Sequence, residues 1–196
     1  MARLFRGRHS KLRLVPSTLS KEDFQRVYDL MDTHPMDSDC GILCGSLCCT
    51  EYEPGVGMYL LPGEDEMFDG KEPWLKWQFA KAQDHDFPPD WKGLVAFIMC
   101  NGTCPRDRRP VQCRTFPLMP YLDPEGNLQV KIDRLSGILI CPLVQRPEQH
   151  PLRPEFHAAV LSAWQILIKD PLIRSDVWQQ SRELDKDESS PWRRLF

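Results

Sequence analysis

The segment CGILCGSLCC (residues 40–49) places four thiols within ten positions, at Cys40, Cys44, Cys48 and Cys49. The open interpretations are disulfides, redox chemistry, a metal site, or a buried core that uses cysteine as a small apolar side chain. Gly41 and Gly45 indicate an irregular loop, which is a poor place for core packing but lets backbone amides approach sulfur closely. A metal or cluster site is therefore the preferred interpretation of this segment.

Four further cysteines complete the set, namely Cys100, Cys104, Cys113 and Cys141. Three pairs are spaced by four residues, about one helical turn, so that two sulfurs can converge on one centre. No C-x-x-C motif is present, which disfavours zinc-ribbon and thioredoxin-type sites. The adjacent Cys48 and Cys49 would point to opposite sides of an extended chain. They favour two neighbouring centres or one multinuclear cluster, and eight thiolates suit either two four-coordinate sites or a cubane with four spare sulfurs.

The composition is that of an ordinary globular chain, with 41% hydrophobic and 27% charged residues in a length of 196. No run reaches the roughly 18 apolar residues of a membrane helix, and the N-terminus lacks the apolar core of a secretory signal. We therefore expect a cytosolic protein without a membrane span. Thiols stay reduced in the cytosol, and the density of cysteine is below that of a disulfide scaffold, but the even number of cysteines leaves a disulfide framework open.

Charge is distributed unevenly along the chain. Residues 1–13 carry five basic side chains and no acidic one, whereas the whole chain has a formal net charge of −3. Such an arm can contact an acidic partner, a nucleic acid or a membrane surface, although a solvated terminus is the simpler interpretation. Aromatic and basic residues are not interleaved at RNA-binding spacing, so nucleic acid is disfavoured and a protein partner stays open.

Residues around the cysteines bear on the identity of the metal. Proline follows both Cys104 and Cys141, as it follows the last cysteine of bacterial ferredoxin motifs, and this marginally favours an iron–sulfur cluster over zinc. Arg109 and Arg114 lie beside Cys113 in the sequence and could donate charge-assisted hydrogen bonds to sulfur. The acidic run in GEDEMF (63–68) predicts a solvated face.

Periodicity and turn residues predict the surrounding elements. Helices are expected at 17–34, with Ser20 as a cap and Phe24, Val27, Leu30 and Met31 on one face, and at 154–170 and 171–184. Strands are expected at 55–62, 73–82, 94–99 and 137–141, a hairpin at 118–133, and a turn or short helix at 63–68. For residues 73–82 a helix is the close alternative.

The pattern CGILCGSLCC followed by CNGTCPRDRRPVQCRTFP (100–117) resembles the bacterial YkgJ-like cysteine-cluster family, described as zinc- or iron-chelating. The second block matches that family closely, with Arg109-Pro110, Cys113-Arg114 and Phe116-Pro117. Two features depart from it: three residues, not two, separate the first cysteines, and no aromatic residue lies in 105–108. The resemblance covers residues 40–142 and implies that all eight cysteines are metal ligands. Flagellin lysine N-methylases carry a related domain.

Together these observations predict an α+β fold, a small irregular cysteine-rich metal-binding domain with short antiparallel strands and flanking helices. The expected organisation is a basic arm (1–16), a single domain (17–184) with its motif core at 40–142 and C-terminal helices at 154–184, and a polar tail (185–196). The expected function is metal binding by the eight cysteines, which leaves open whether the protein is an enzyme. Two alternatives are a cluster-dependent enzyme of the protein lysine methylase type and a metal-stabilised module that binds nucleic acid or protein.

Overall fold

A computed structural model describes residues 13–49, 57–102 and 104–189 of the chain. The helices are α1 (Lys21–Leu30), α2 (Gly41–Cys44), α3 (Val111–Thr115), α4 (Arg134–Ile140), α5 (Pro142–Gln145), α6 (Pro154–Leu167) and α7 (Pro171–Ser189). The strands are β1 (Met58–Tyr59), β2 (Leu75–Lys81), β3 (Leu94–Cys100), β4 (Leu118–Leu122) and β5 (Leu128–Ile132). These antiparallel strands and flanking helices confirm the predicted α+β class.

A three-stranded antiparallel sheet has the order β1-β3-β2 and brings the central strand to Cys100. Leu75 pairs with Cys100 and Lys81 with Leu94, so the strands predicted at 73–82 and 94–99 are confirmed. At the opposite end of β3, Leu14 forms a parallel bridge to Leu94, and Val15 donates its N–H to the Leu94 carbonyl at 2.8 Å. The central strand therefore runs from the N-terminal segment to the cysteines.

The predicted hairpin is formed by β4 and β5, with Leu118 opposite Ile132 and Leu122 opposite Leu128. Its turn is fixed by Asp123, whose side chain accepts from the Asn127 N–H at 2.7 Å, and by Gly126 at a φ of 85°. A positive φ is readily adopted by glycine, which is why this turn could be read from the sequence.

Helix α1 begins with the predicted cap, because Ser20 and Asp23 form a reciprocal capping box. The helix buries Phe24 and Val27 against the apolar face of α6, but Leu30 is 40% exposed and Tyr28 is buried instead. The core of this part of the molecule joins α1, α6, α7 and the hairpin. The helices predicted at 17–34, 154–170 and 171–184 are therefore confirmed.

Asp170 ties the start of α7 to the segment that precedes α1. One carboxylate oxygen accepts from the backbone N–H groups of Leu172 and Ile173, in the first turn of α7. The other accepts from the Thr18 N–H at 2.6 Å and from the hydroxyls of Thr18 and Ser17. Pro171 at the first helical position loses no hydrogen bond there.

The strand predicted at 137–141 is wrong, because these residues belong mainly to α4. Gly137 donates to the Asp133 carbonyl at 3.0 Å and Cys141 to the Gly137 carbonyl at 2.8 Å, which is the helical pattern. Ile138 and Leu139 are 52% and 78% exposed, so the apolar run is not a buried strand. A short apolar run does not by itself separate strand from helix.

The two termini bear on the predicted organisation of the chain. Helix α7 continues to Ser189, so the polar tail predicted from residue 185 is helical over its first five residues. The remaining tail and residues 1–12 of the basic arm lie outside the described residues. Within the described part of the chain, no helix is both long and apolar enough to cross a membrane.

Candidate metal centre

The first cysteine segment combines one helical turn with a left-handed exit. Helix α2 places Cys44 one turn after Cys40, and the Cys44 sulfur lies 4.0 Å from the Cys40 carbonyl oxygen. Gly45 then ends the helix at a φ of 63°, a conformation that glycine adopts without strain. The segment predicted as an irregular loop is thus a short helix followed by a tight turn.

The vicinal cysteines follow in a 3₁₀ turn, Leu47–Cys49. Their sulfur atoms are 3.9 Å apart, and Cys48 is the more exposed of the two residues. The hydrogen bond between the two thiols lowers the pKa of Cys49 to about 6; Arg109 acts in the same direction, and burial opposes both. The same hydrogen bond raises the pKa of Cys48. The contact between the two sulfurs therefore shifts their pKa values in opposite directions.

The second cysteine segment packs against the first through Gly102. Its φ is 81°, and a Cβ atom there would lie 2.9 Å from the carbonyl oxygen of Cys49. The Gly102 N–H also donates to the Cys100 sulfur at 3.3 Å. Cys104 forms a side-chain hydrogen bond with Cys100, which raises the pKa of Cys104. The absence of a side chain at Gly102 thus allows the backbone at this residue to approach Cys49.

Cys113 lies on α3, and a buried carboxylate holds the start of that helix. The Glu64 Oε1 atom accepts from the Val111 N–H at 2.6 Å and from the Tyr28 hydroxyl at 3.0 Å. The Cys113 thiol contacts the Met58 thioether sulfur at 3.3 Å, and burial raises its pKa to about 12. The sequence indicates neither Glu64 nor Met58 as part of this site, and Glu64 is fully buried rather than solvated as predicted.

Cys141 occupies the junction between α4 and α5 and is buried. Burial raises the pKa of its thiol, while hydrogen bonds from the backbone N–H groups of Leu143 and Val144 act in the opposite direction. Its thiol interacts electrostatically with Cys44 and Cys40. The helical turn after Cys141 therefore directs backbone donors at sulfur, which is a common arrangement around metal thiolates.

The two arginines predicted to support the cysteines have different surroundings. Arg109 is half-buried and interacts with the thiols of Cys49, Cys104 and Cys113, with a hydrogen bond to Cys104. Its buried Nε has no hydrogen-bond partner among the described residues. Arg114 donates to the carbonyl oxygens of Arg109 and Tyr28, at 2.7 and 3.3 Å, and its guanidinium stacks 4.2 Å from the Tyr28 ring centroid.

The other two arginines of this segment are held by oxygen atoms. Arg106 donates to the carbonyl oxygen of Thr33. Burial raises the pKa of the Cys40 thiol, and the positive charge of Arg106 acts in the opposite direction. Arg108 pairs with Glu72 at 3.1 Å. Arg109 is therefore the arginine with the most extensive sulfur surroundings in this segment.

A cavity of about 410 Å³ lies among these segments. Six cysteines line it: Cys40, Cys44, Cys48, Cys49, Cys113 and Cys141. Cys100 and Cys104 pack instead against the neighbouring apolar cluster that contains Leu75 and Ile98. The fold thus brings thiols from four separate segments of the chain to one region.

The eight cysteines, all of which lie in the described part of the chain, form no disulfide with one another. Two pairs of thiols are in contact, Cys48 with Cys49 and Cys100 with Cys104. Among residues 13–49, 57–102 and 104–189, no three Cys, His, Asp or Glu side chains are arranged to hold a metal ion. The chemistry of the donor set nevertheless suits a soft, thiolate-preferring metal, and the unpartnered Nε of Arg109 provides a donor beside it. Coordination by three or more of these sulfurs therefore requires side chains to turn toward a common point.

Comparisons with protein-family models, with curated proteins and with solved structures gave no match for this chain. The resemblance to the YkgJ-like family therefore stays a prediction that rests on the two cysteine blocks.

Proposed function

We propose that this chain is a cysteine-cluster metal-binding protein whose eight thiols hold an iron–sulfur cluster or zinc. The observation that carries the proposal is the convergence of sulfur from residues far apart in sequence: Cys40, Cys113 and Cys141 line the same cavity. Packing alone does not require thiols at these positions, because several of them are only partly buried. A shared inorganic ion gives a reason for placing them together.

The electrostatics of the region support thiolate ligation. Four thiolates around a divalent ion leave about two negative charges, which are costly to bury without compensation. Arg109 supplies a fixed positive charge next to Cys49, Cys104 and Cys113. The N–H groups that approach Cys100 and Cys141 stabilise negative charge on sulfur in the same way.

The role that fits this arrangement is structural or electron-carrying. When bound, zinc would supply a fixed cross-link, and an iron–sulfur cluster would also supply a reversible one-electron couple. The residues of this chain would hold the ion, shield it from solvent and compensate its charge. An iron–sulfur cluster keeps the marginal preference that the Cys-Pro steps give it.

Anaerobic purification followed by elemental analysis and an absorption spectrum tests the proposal. Iron with inorganic sulfide and a broad visible absorption that bleaches on reduction indicates a cluster, whereas stoichiometric zinc without colour indicates the alternative. Cys113→Ser should lower the metal content. The matched control is Arg108→Ala, because Arg108 lies in the same segment as Cys113 but pairs with Glu72. This variant should retain the wild-type metal content. A folded wild-type chain without metal under these conditions would overturn the proposal.

A further inference from the structure

The turn that carries the vicinal cysteines is set by the backbone. Gly45 and Ser46 both have positive φ angles, 63° and 59°, and the Cys49 N–H donates to the Ser46 carbonyl at 2.7 Å. A positive φ is uncommon for a residue other than glycine, and such conformations cluster at functional sites. None of the residues in the 3₁₀ turn Leu47–Cys49 is buried. The left-handed turn, rather than apolar packing, therefore places Cys48 beside Cys49.

The two sulfur atoms of this pair are close together and accessible. The Cys48 Sγ atom lies 3.9 Å from the Cys49 Sγ atom, and Cys48 is exposed to solvent. A disulfide bond is about 2.05 Å long, so the sulfurs need to approach by about 2 Å, which rotation of the side chains can supply. A dissolved reagent can also reach Cys48 without unfolding of the chain.

The other sulfur contacts of this region are less suited to such a reaction. Cys100 and Cys104 are hydrogen-bonded, but both are partly buried and pack against the apolar cluster around Leu75 and Ile98. The Cys113 thiol contacts the thioether of Met58, which cannot form a disulfide. Cys48 and Cys49 therefore combine a sulfur–sulfur contact with solvent exposure.

We propose that Cys48 and Cys49 are a redox-active pair that forms a reversible vicinal disulfide, with a low-molecular-weight disulfide as the oxidant. The thiolate of one cysteine attacks the external disulfide, forms a mixed disulfide and expels one thiolate. The neighbouring thiolate then attacks the cysteine sulfur of the mixed disulfide and expels the second. The two cysteines lose two electrons and two protons, and the external disulfide is reduced to two thiols.

The product is a bond that a thiol reductant reverses. Adjacent Cα atoms are about 3.8 Å apart, closer than the roughly 4.4–6.8 Å of ordinary disulfides. Such a bond is strained, and strained or exposed disulfides are the labile ones that serve catalysis or regulation. The inference goes beyond the proposed function, because the contact between these sulfurs involves no metal. Oxidation would also withdraw Cys48 and Cys49 from the proposed ligand set.

Mass mapping of the full wild-type chain tests the inference without any substitution. The chain is treated with a chelator, incubated anaerobically with oxidised glutathione, alkylated, digested and analysed by tandem mass spectrometry. The first disulfide to form should join Cys48 to Cys49, and dithiothreitol should return both to the alkylatable form. A first disulfide between any other two cysteines, a persistent glutathione adduct on Cys48, or no oxidation of the pair would overturn the inference.

Two substitutions separate this pair from its neighbour in α2. Cys49→Ser removes the second nucleophile, so glutathione should stay attached to Cys48 as a stable mixed disulfide. Cys44→Ser removes the closest alternative partner in the same segment, and the Cys48–Cys49 bond should still form. Loss of that bond in Cys44→Ser would contradict direct exchange between the vicinal thiols.

Elemental analysis of the chain before chelation distinguishes this inference from the proposed function. A chain that contains no metal but forms the Cys48–Cys49 bond overturns the proposed function alone. A chain that contains metal but, after chelation, does not form the bond overturns the redox pair alone.

Discussion

Glu64 is a single residue on which several parts of the site depend. Its carboxylate is fully buried and accepts from the N–H groups of Val111 and Leu61 and from the Tyr28 hydroxyl. Burial raises its pKa, while these hydrogen bonds act in the opposite direction. An acidic run usually marks a solvated face, so composition alone gave no signal for this burial.

Glu64→Ala should lower the free energy of unfolding by about 3 kcal/mol, because it leaves two buried N–H groups and a hydroxyl without acceptors. Urea denaturation measures the loss. Glu66→Ala is the matched control, since Glu66 lies with Glu64 in a short 3₁₀ helix, Glu64–Met67, but is exposed, and its effect should stay within about 0.5 kcal/mol. Equal effects of the two substitutions would contradict a supporting role for Glu64.

Gly102→Ala should lower the metal content of the chain, because the new Cβ would meet the Cys49 carbonyl oxygen at 2.9 Å. Gly70→Ala separates this contact from backbone strain. Gly70 has a similar positive φ of 70° but no atom within 4 Å of the added Cβ. Both variants should lose about 1 kcal/mol of stability from the left-handed conformation. Elemental analysis should show reduced metal in the first variant alone; an unchanged metal content in Gly102→Ala would show that the close approach is dispensable.

At the scale of elements, α7 depends on a cap with a defined pH dependence. Burial raises the pKa of Asp170, but the hydrogen bonds from Thr18, Ile173 and Ser17 outweigh it and leave that pKa below its ordinary value. The folded state therefore favours the carboxylate. The resulting stability is present above the unfolded pKa of about 4 and is lost as the pH falls through the folded value.

Asp170→Asn should lower the free energy of unfolding by about 2 kcal/mol at pH 7, and the difference from wild type should shrink in acid. Denaturation curves between neutral and acidic pH measure it. Asp176 in the same helix has a pKa shift of the opposite sign, because burial raises its pKa to about 6. Asp176→Asn should gain stability relative to wild type as the pH rises from about 4 through 6. Parallel pH profiles for the two variants would refute both assignments.

The elements that the sequence predicts correctly are those with a local physical signal. The hairpin has turn residues at fixed positions, α1 has its capping box, and α6 and α7 have apolar residues at helical spacing. Residues 137–141 form an apolar run without a turn signal. The structure shows them to be mainly helical, with a hydrogen bond from the Gly137 N–H to the Asp133 carbonyl. Whether such a run forms a strand or a helix depends on its tertiary surroundings, and the periodicity of the sequence does not contain that information.

Across the whole molecule, the sequence indicated the cysteines but not which of them interact. Spacing along the chain predicts that Cys100 and Cys104 lie together, and they do. It does not predict that Cys141 interacts with Cys44, because that proximity depends on how α4 and α5 pack. Arg109 interacts with thiols, whereas Arg114 contacts an aromatic ring and backbone carbonyls. This difference also depends on the fold around α3.

Removal of metal should loosen the cysteine segments more than the helical core. The core of α1, α6 and α7 is built from apolar side chains such as Phe24, Phe156 and Ile173, all fully buried, and does not include the thiols. Hydrogen exchange before and after chelation should therefore show loss of amide protection in 40–49 and 100–104, with α6 and α7 largely unchanged. Uniform loss of protection would indicate that the metal holds the entire fold.

The pairing of β3 limits how related chains can differ in length. Its first residue, Leu94, is fixed by the bridge to Leu14, and its last, Cys100, by the pairing with Leu75. Side chains alternate between the two faces of a strand, so inserting or deleting one residue here would turn the final thiol to the opposite face. Related chains should therefore carry insertions in the loops that flank this strand. A related chain with an odd-numbered insertion within 94–100 should lack the cysteine that corresponds to Cys100.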